Sequence, residues 1–123
     1  MNDRVTVNMQ CLLVDDSEEF LASAARLLES QGIDVVGRAR TRDEALELAA
    51  TLEPDLALVD IELGADDGIE LAYVLKERWP SLQLILISAY PREELGDLIS
   101  DGRSLKFLPK SALGADAIAG LLA

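Results

Sequence analysis

The sequence contains no histidine. That removes an imidazole base, a histidine metal ligand and a phosphohistidine from any chemistry the chain performs itself. It contains one cysteine, Cys11, so an internal disulfide, a Cys₄ zinc site and a CxxC redox pair are excluded. The flanking MQCLLV is apolar, which makes Cys11 a buried strand residue. Aromatics are scarce, at 4% of 123 residues, and so is base: 11 Lys plus Arg against 23 Asp plus Glu, a net charge of −12. Phosphate contacts need a basic face, so direct nucleic-acid binding is not expected, and neither is docking on anionic lipid. No apolar run approaches the ~20 residues of a membrane span. The start, MNDRVTVNMQ, lacks the basic opening and apolar stretch of a signal peptide. A cytoplasmic protein is expected. What the chain does have is core material: 50% of its residues are hydrophobic, in a length suited to one domain.

Short apolar runs alternate with amphipathic segments. Gln10 to Val14, Leu56 to Val59, Leu82 to Ile87 and Leu105 to Leu108 read as buried strands, with Val35-Val36 as a shorter one. Between them, Leu21, Ala24, Ala25 and Leu28 fall at helical spacing behind a Ser17 cap, with Gly32 ending the helix. Thr41 to Glu44 fits a capping box for a helix carrying Ala45, Leu48, Ala49 and Leu52, broken by Pro54. Helices are also expected over Ile69 to Arg78, Arg92 to Ser100 and Ala115 to Leu122, and a loop over Gly64 to Gly68. This is a (βα)₅ order, hence an α/β fold with a doubly wound, parallel five-stranded sheet covered on both faces. Neither an internal repeat nor an interdomain linker interrupts it, so residues 1–123 read as a single domain with no output domain attached.

The polar residues that stand out lie where the apolar runs stop. Asp15 and Asp16 end the first strand, Asp60 the third and Ser88 the fourth, and Lys110 follows the fifth. In a parallel sheet these ends share one edge, where such folds bind ligands. Taken singly, each has a plain structural reading as a turn acid, a strand-end hydroxyl or a surface charge. Together they place three carboxylates and one ammonium in one pocket. Two carboxylates 4 Å apart repel by about 4 kcal/mol at an effective dielectric near 20. One lysine does not offset three acids, and an all-oxygen donor set suits Mg²⁺ or Mn²⁺. A carboxylate beside such an ion can attack phosphorus and become an acyl phosphate. Asp60, alone at the end of the central strand, is the expected nucleophile, facing the Asp15-Asp16 pair.

At these residues the chain resembles the response-regulator receiver domain of two-component signalling, a flavodoxin-like fold. The resemblance rests on LLVDDS, LALVDIEL with DDG, LILISAY and KFLPKS, in that order, and spans about residues 9 to 123. It implies that Asp15 and Asp16 hold Mg²⁺ and that the backbone carbonyl of Glu62 completes the metal shell. Asp60 would accept a phosphoryl group from the phosphohistidine of a sensor histidine kinase or a phosphotransfer protein. Ser88 would follow the phosphoryl group, Lys110 would pair with it, and Phe107 would occupy a switch-aromatic position. The output face would be formed by the fourth helix, the fifth strand and the last helix, for a downstream protein, a covalently attached output domain or a second copy in a homodimer. The resemblance is also compatible with the receiver part of a longer transcriptional regulator.

Three departures accompany the resemblance. Gly64 stands where many receivers have proline. Pro109-Lys110-Ser111 replaces the common Lys-Pro order, whose bond is cis; a cis Lys110–Ser111 bond is the expectation carried over. Glu62 and Tyr90, two residues beyond Asp60 and Ser88, occupy the positions that influence phosphoryl lifetime. Two other functions stay in view. One is a Mg²⁺-dependent phosphohydrolase with an aspartyl nucleophile, disfavoured because Glu62 stands where such enzymes carry a second Asp. The other is a receiver-like interaction module that works without phosphorylation. The expected chemistry is self-catalysed phosphoryl acceptance and slow dephosphorylation, not turnover of a substrate.

Overall fold

The computed structural model describes residues 9–90 and 105–122. The expected helix over Arg92 to Ser100 lies outside the described residues. Five strands form one parallel sheet: β1 (Gln10–Val14), β2 (Asp34–Ala39), β3 (Leu56–Asp60), β4 (Gln83–Ser88) and β5 (Lys106–Pro109), in the order β2-β1-β3-β4-β5. The order reverses between β1 and β3, so their carboxyl ends flank the crevice in which a doubly wound sheet binds its ligand.

Among the described residues, three helices fill the crossovers from β1 to β4: α1 (Glu18–Ser30), α2 (Arg42–Leu52) and α3 (Gly68–Arg78). A last helix, Ala115–Leu122, follows a 3₁₀ turn at Lys110–Ala112. Central strand β3 is buried along its whole length, as expected of a strand covered on both faces. Its alternate side chains feed two cores. Ala57 and Val59 join Ala45, Ala49, Leu71 and Leu75 under α2 and α3. Leu56 and Leu58 join Leu21, Ala25, Leu28 and Ile118 under α1 and the last helix. Removing a fully buried leucine such as Leu58 (0% exposed) would cost about 2–5 kcal/mol.

The helix starts follow local chemistry. Ser17 Oγ accepts the Phe20 N–H at 3.1 Å, and Thr41 Oγ1 accepts the Glu44 N–H at 3.1 Å. The Glu44 carboxylate also reaches back, but past the Thr41 N–H that a capping box would engage, to the Arg40 N–H at 2.8 Å. Glu53 ends α2 in the left-handed region, at φ 49°, ahead of Pro54.

Two stretches differ from expectation. The segment after Asp60 is a two-stranded antiparallel hairpin pairing Glu62–Leu63 with Asp66–Asp67, turning at Gly64 with φ 62°. Strand β2 is longer than Val35-Val36, because it follows β1 to Ala39 past an irregularity between Cys11 and Leu12. The expected cis Lys110–Ser111 bond is corrected: every peptide bond in the described residues is trans. Moving proline one position before the lysine leaves an ordinary secondary amide there, for which cis is ~3–4 kcal/mol uphill.

Candidate functional site

The carboxyl edge of the sheet gathers the polar residues that the strands release. Asp15 directly follows β1, and its N–H continues the ladder to Ala39 O at 3.0 Å. The side chain is therefore carried into the interior, at 0% exposure. Asp16, next along, faces outward and is exposed. Asp60 closes β3 opposite Ile87 of β4 and is 5% exposed. Ser88 ends β4 opposite Pro109, at 1% exposure. Lys110 opens the 3₁₀ turn after β5 and sends its side chain back across the edge.

One carboxylate oxygen from each of Asp15, Asp16 and Asp60 lies within 4.8 Å of the others, making these three a group that could hold a metal ion among the described residues. Each buried acid spends one oxygen on the backbone and turns the other to Lys110. Asp15 Oδ1 accepts the Ser17 N–H at 2.9 Å, and Asp60 Oδ1 accepts the Glu62 N–H at 3.2 Å. Lys110 Nζ lies 2.6 Å from Asp15 Oδ2 and 3.4 Å from Asp60 Oδ2. The contact with Asp15 is an ion pair without hydrogen-bond alignment, so a fully buried oxygen keeps lone-pair capacity to spare.

The electrostatics follow. Burial and the Asp15 charge push the Asp60 carboxyl up to about 6, against the pull of Lys110 and the Glu62 N–H. For Lys110, burial works against the charge, but its contact with Asp15 and the charges of Asp60 and Asp15 outweigh it and hold the ammonium above the usual lysine range. It stays charged at neutral pH. Burial pushes the Cys11 thiol up to about 12, which makes it a core residue and not a nucleophile.

The donor set fits a divalent cation. Three carboxylates set against one ammonium leave negative charge in excess, one buried oxygen has capacity unfilled, and every donor is a hard oxygen. Gly64 widens the approach, since a Cβ there would stand 3.3 Å from Asp16 Oδ2.

Of the other residues singled out from sequence, Ser88 Oγ accepts the Tyr90 N–H at 3.1 Å, and Tyr90 itself is 46% exposed. Phe107 is 8% exposed and packs in the core beneath α2 and α3. Glu62 is exposed on the hairpin.

Three residues escaped sequence reasoning. Arg40 grips the Asp16 carbonyl through Nε at 3.3 Å and Nη2 at 3.2 Å, steadying the loop that carries both acids. Gly68 lies against β3 so closely that a Cβ would come within 1.8 Å of Asp60 O. Phe20 puts its ring 4.2 Å from Lys110 Nζ. Only Gly68 carried a signal, as the last residue of the DDG motif.

A family model described as the response regulator receiver domain matches residues 11–118. Among curated relatives, the response regulator protein VraR of Staphylococcus saprophyticus is 32% identical over 83 residues, which are 67% of this chain and 40% of that protein. A protein-glutamate methylesterase/protein-glutamine glutaminase of Pseudoalteromonas atlantica is 33% identical over 102 residues, 80% of this chain and 27% of that one. The chain thus spans well under half the length of these two relatives. Among solved structures, a response regulator protein from Burkholderia pseudomallei with a phosphorylated aspartic acid, a calcium ion and citrate superposes with a TM-score of 0.77 at 30% identity, over 93% of this chain and 66% of that one. No helix among the described residues is long and apolar enough to cross a membrane.

Proposed function

This chain belongs to the response regulator receiver domain family, and we propose that its Asp60 accepts a phosphoryl group from the phosphohistidine of a sensor histidine kinase or phosphotransfer protein. The observation that carries the proposal is the meeting of Asp15, Asp16 and Asp60 within 4.8 Å, with Lys110 bridging the two buried acids. An Asp60 carboxylate oxygen attacks phosphorus and forms an O–P bond. The P–N bond to the donor imidazole breaks, and the nitrogen keeps the electron pair and takes a proton from water.

Asp15, Asp16, Asp60 and the Glu62 carbonyl would hold the metal, here assigned to Mg²⁺. A bound divalent cation supplies positive charge to the phosphoryl oxygens. Lys110 supplies the second positive charge and already sits 3.4 Å from Asp60. Ser88, on the neighbouring strand end, would donate its hydroxyl hydrogen to a phosphoryl oxygen. The proposed chemistry ends at acceptance and slow hydrolytic loss, with no separate substrate turned over, since Glu62 stands where an aspartyl phosphohydrolase would carry its second Asp. Phosphorylation would shift the output face, Phe107 included, toward a conformation that a downstream protein, an attached output domain or a second receiver recognises. Moving such a switch from 1:99 to 99:1 takes about 5.5 kcal/mol of differential stabilisation, a demand shared among Mg²⁺, Lys110 and Ser88. We place this single receiver unit in the cytoplasm, where its donor's phosphohistidine is accessible.

Intact-mass spectrometry after incubation with Mg²⁺ and acetyl phosphate tests the assignment. Wild type should gain one phosphoryl group and Asp60→Asn none. Equal gain in both would move the acceptor to Asp15 or Asp16. No gain in either, with Mg²⁺ binding confirmed, would leave a phosphorylation-independent interaction module.

A further inference from the structure

Lys110 is held by more than its two carboxylates. Its Nζ, 2.6 Å from Asp15 Oδ2 and 3.4 Å from Asp60 Oδ2, also lies 4.2 Å from the centroid of the Phe20 ring. The start of α1 places that ring. Ser17 Oγ accepts the Phe20 N–H at 3.1 Å, while Ser17 N–H donates to Asp15 Oδ1 at 2.9 Å. The contacts close on themselves: Asp15 to Ser17, Ser17 to Phe20, Phe20 to Lys110, and Lys110 back to Asp15. Phe20 is half-buried against the core of Leu13, Leu21 and Leu108, so its ring cannot drift without giving up packing. One short cap therefore registers a metal-site acid and an aromatic face against the same ammonium.

We propose that Phe20 is a positioning residue for Lys110, its ring face holding the ammonium over the acceptor site and keeping water from it. This role rests on the reading of Lys110 as the phosphoryl partner. An aromatic face attracts a cation within about 6 Å of its centroid, most strongly where water is excluded. Lys110's side chain is 20% exposed, so the ring and the carboxylates between them take up most of its surroundings. The attraction is broad in angle, unlike a hydrogen bond. The ammonium can be shared between Asp15 Oδ2 and a new anion on Asp60 and stay over the ring throughout. A leucine at position 20 would fill the space and keep the packing, but it would offer the ammonium nothing. The flexible four-carbon stem would then recover its freedom, and the charge would spend less time at the acceptor.

The test compares wild type, Phe20→Leu, Phe20→Tyr and Lys110→Ala by the rate of phosphorylation with acetyl phosphate and Mg²⁺. Thermal midpoints and the NMR shifts of the Lys110 ε-protons accompany the rates. Phe20→Leu should react roughly 2- to 30-fold more slowly, the range a cation–π contact spans from exposed to desolvated sites. Phe20→Tyr, which keeps the face, should stay within about twofold of wild type on the same reasoning. The Lys110 ε-protons should be shielded in wild type and in Phe20→Tyr and lose that shielding in Phe20→Leu, which reports the ring over the ammonium, while the rate retained by Phe20→Tyr and lost by Phe20→Leu reports what the ring does. A Phe20→Leu rate equal to wild type, with Lys110→Ala slow, would overturn the role of Phe20 and leave that of Lys110 standing. A Lys110→Ala rate equal to wild type would overturn the underlying reading, and this role with it. If Phe20→Leu fails to fold, the wild-type spectrum decides: unshielded Lys110 ε-protons would overturn the contact itself.

Discussion

Replacing Asp60 by asparagine should make the metal-free protein more stable at neutral pH, although it removes the residue on which the proposed function depends. Burial and the Asp15 charge raise the Asp60 carboxyl from 3.8 to about 6 in the folded protein. An acid whose folded value lies above its unfolded one favours folding while protonated. That stability is fully present below the unfolded value and is lost as pH rises through the folded one, so the window runs from about pH 4 to pH 6. Each pH unit in the window is worth about 1.4 kcal/mol. Ionised Asp60 therefore costs the metal-free fold up to about 3 kcal/mol. An amide of the same shape escapes that cost and keeps an oxygen for the Glu62 N–H, which now reaches Oδ1 at 3.2 Å. At roughly 4 °C per kcal/mol for a domain of this size, a gain of about 1–3 kcal/mol raises the melting midpoint by about 4–12 °C. The assay is thermal unfolding of both proteins in EDTA from pH 4 to pH 8. Taking the difference between them cancels the titration of the other acids. The gap should be widest above pH 6 and close toward pH 4. A variant no more stable than wild type at pH 7.5, or an advantage that persists unchanged to pH 4, would refute the reasoning. Adding Mg²⁺ supplies a second arm: at 100 times its Kd it stabilises the wild type by about 2.7 kcal/mol, and the variant, short of one of three acids, should gain less.

Two further substitutions probe how the site is built. Gly68→Ala puts a Cβ within 1.8 Å of the Asp60 carbonyl oxygen, so β3 or α3 must shift; urea unfolding should show a loss of about 3 kcal/mol or more, in the range of severe overpacking, and a loss under about 1 kcal/mol would mean that the two elements slide apart freely. Ser17→Ala removes the hydroxyl that caps α1 and should cost about 1 kcal/mol, with Ser17→Asp restoring most of it; equal loss in both variants would show that the cap does not set the start of this helix.

How much of this was legible in the sequence depended on how local each feature is. The strands announced themselves as short apolar runs, three of them closed by a polar residue: Asp15, Asp60 and Ser88. The caps at Ser17 and Thr41 were readable because cap and recipient lie three residues apart. The site residues were readable because a parallel sheet sends every strand's carboxyl end to one edge, so order along the chain becomes neighbourhood in space. Contacts between crossovers were not. Phe20 and Lys110 stand 90 positions apart, and nothing in either segment indicates that a ring would meet an ammonium. Arg40's grip on the Asp16 carbonyl spans 24 residues and uses a backbone atom, which leaves no mark on residue type. The hairpin after Asp60 was read as a loop because its paired residues, Glu62-Leu63 and Asp66-Asp67, are mostly acids with low strand preference. The Lys110–Ser111 bond is trans because proline, the residue that lowers the cost of a cis bond, stands at position 109, before the lysine and not after it.

The charges of the pocket indicate which residue would report its phosphorylation. Three carboxylates against one ammonium leave two negative charges in excess, and a divalent cation balances them. A phosphoryl group on Asp60 would replace one negative charge by nearly two, on oxygens that reach farther out than the carboxylate. Lys110 cannot simply follow that charge outward. It is 2.6 Å from Asp15 Oδ2, a buried oxygen with no hydrogen bond of its own, and leaving it would strand a buried charge at a cost of several kcal/mol. Lys110 would therefore stay shared, and the new oxygens would need a donor from elsewhere. On the proposed reading Ser88 would supply it: its Oγ accepts the Tyr90 N–H at 3.1 Å, and a hydroxyl that accepts one bond can still donate another. Drawing that hydroxyl toward Asp60 would draw on the Tyr90 backbone through the same oxygen. The displacement would thus enter the chain just past β4, on the side of Ser88, while the ammonium held between Asp15 and Phe20 stays in place as the fixed wall against which the switch moves.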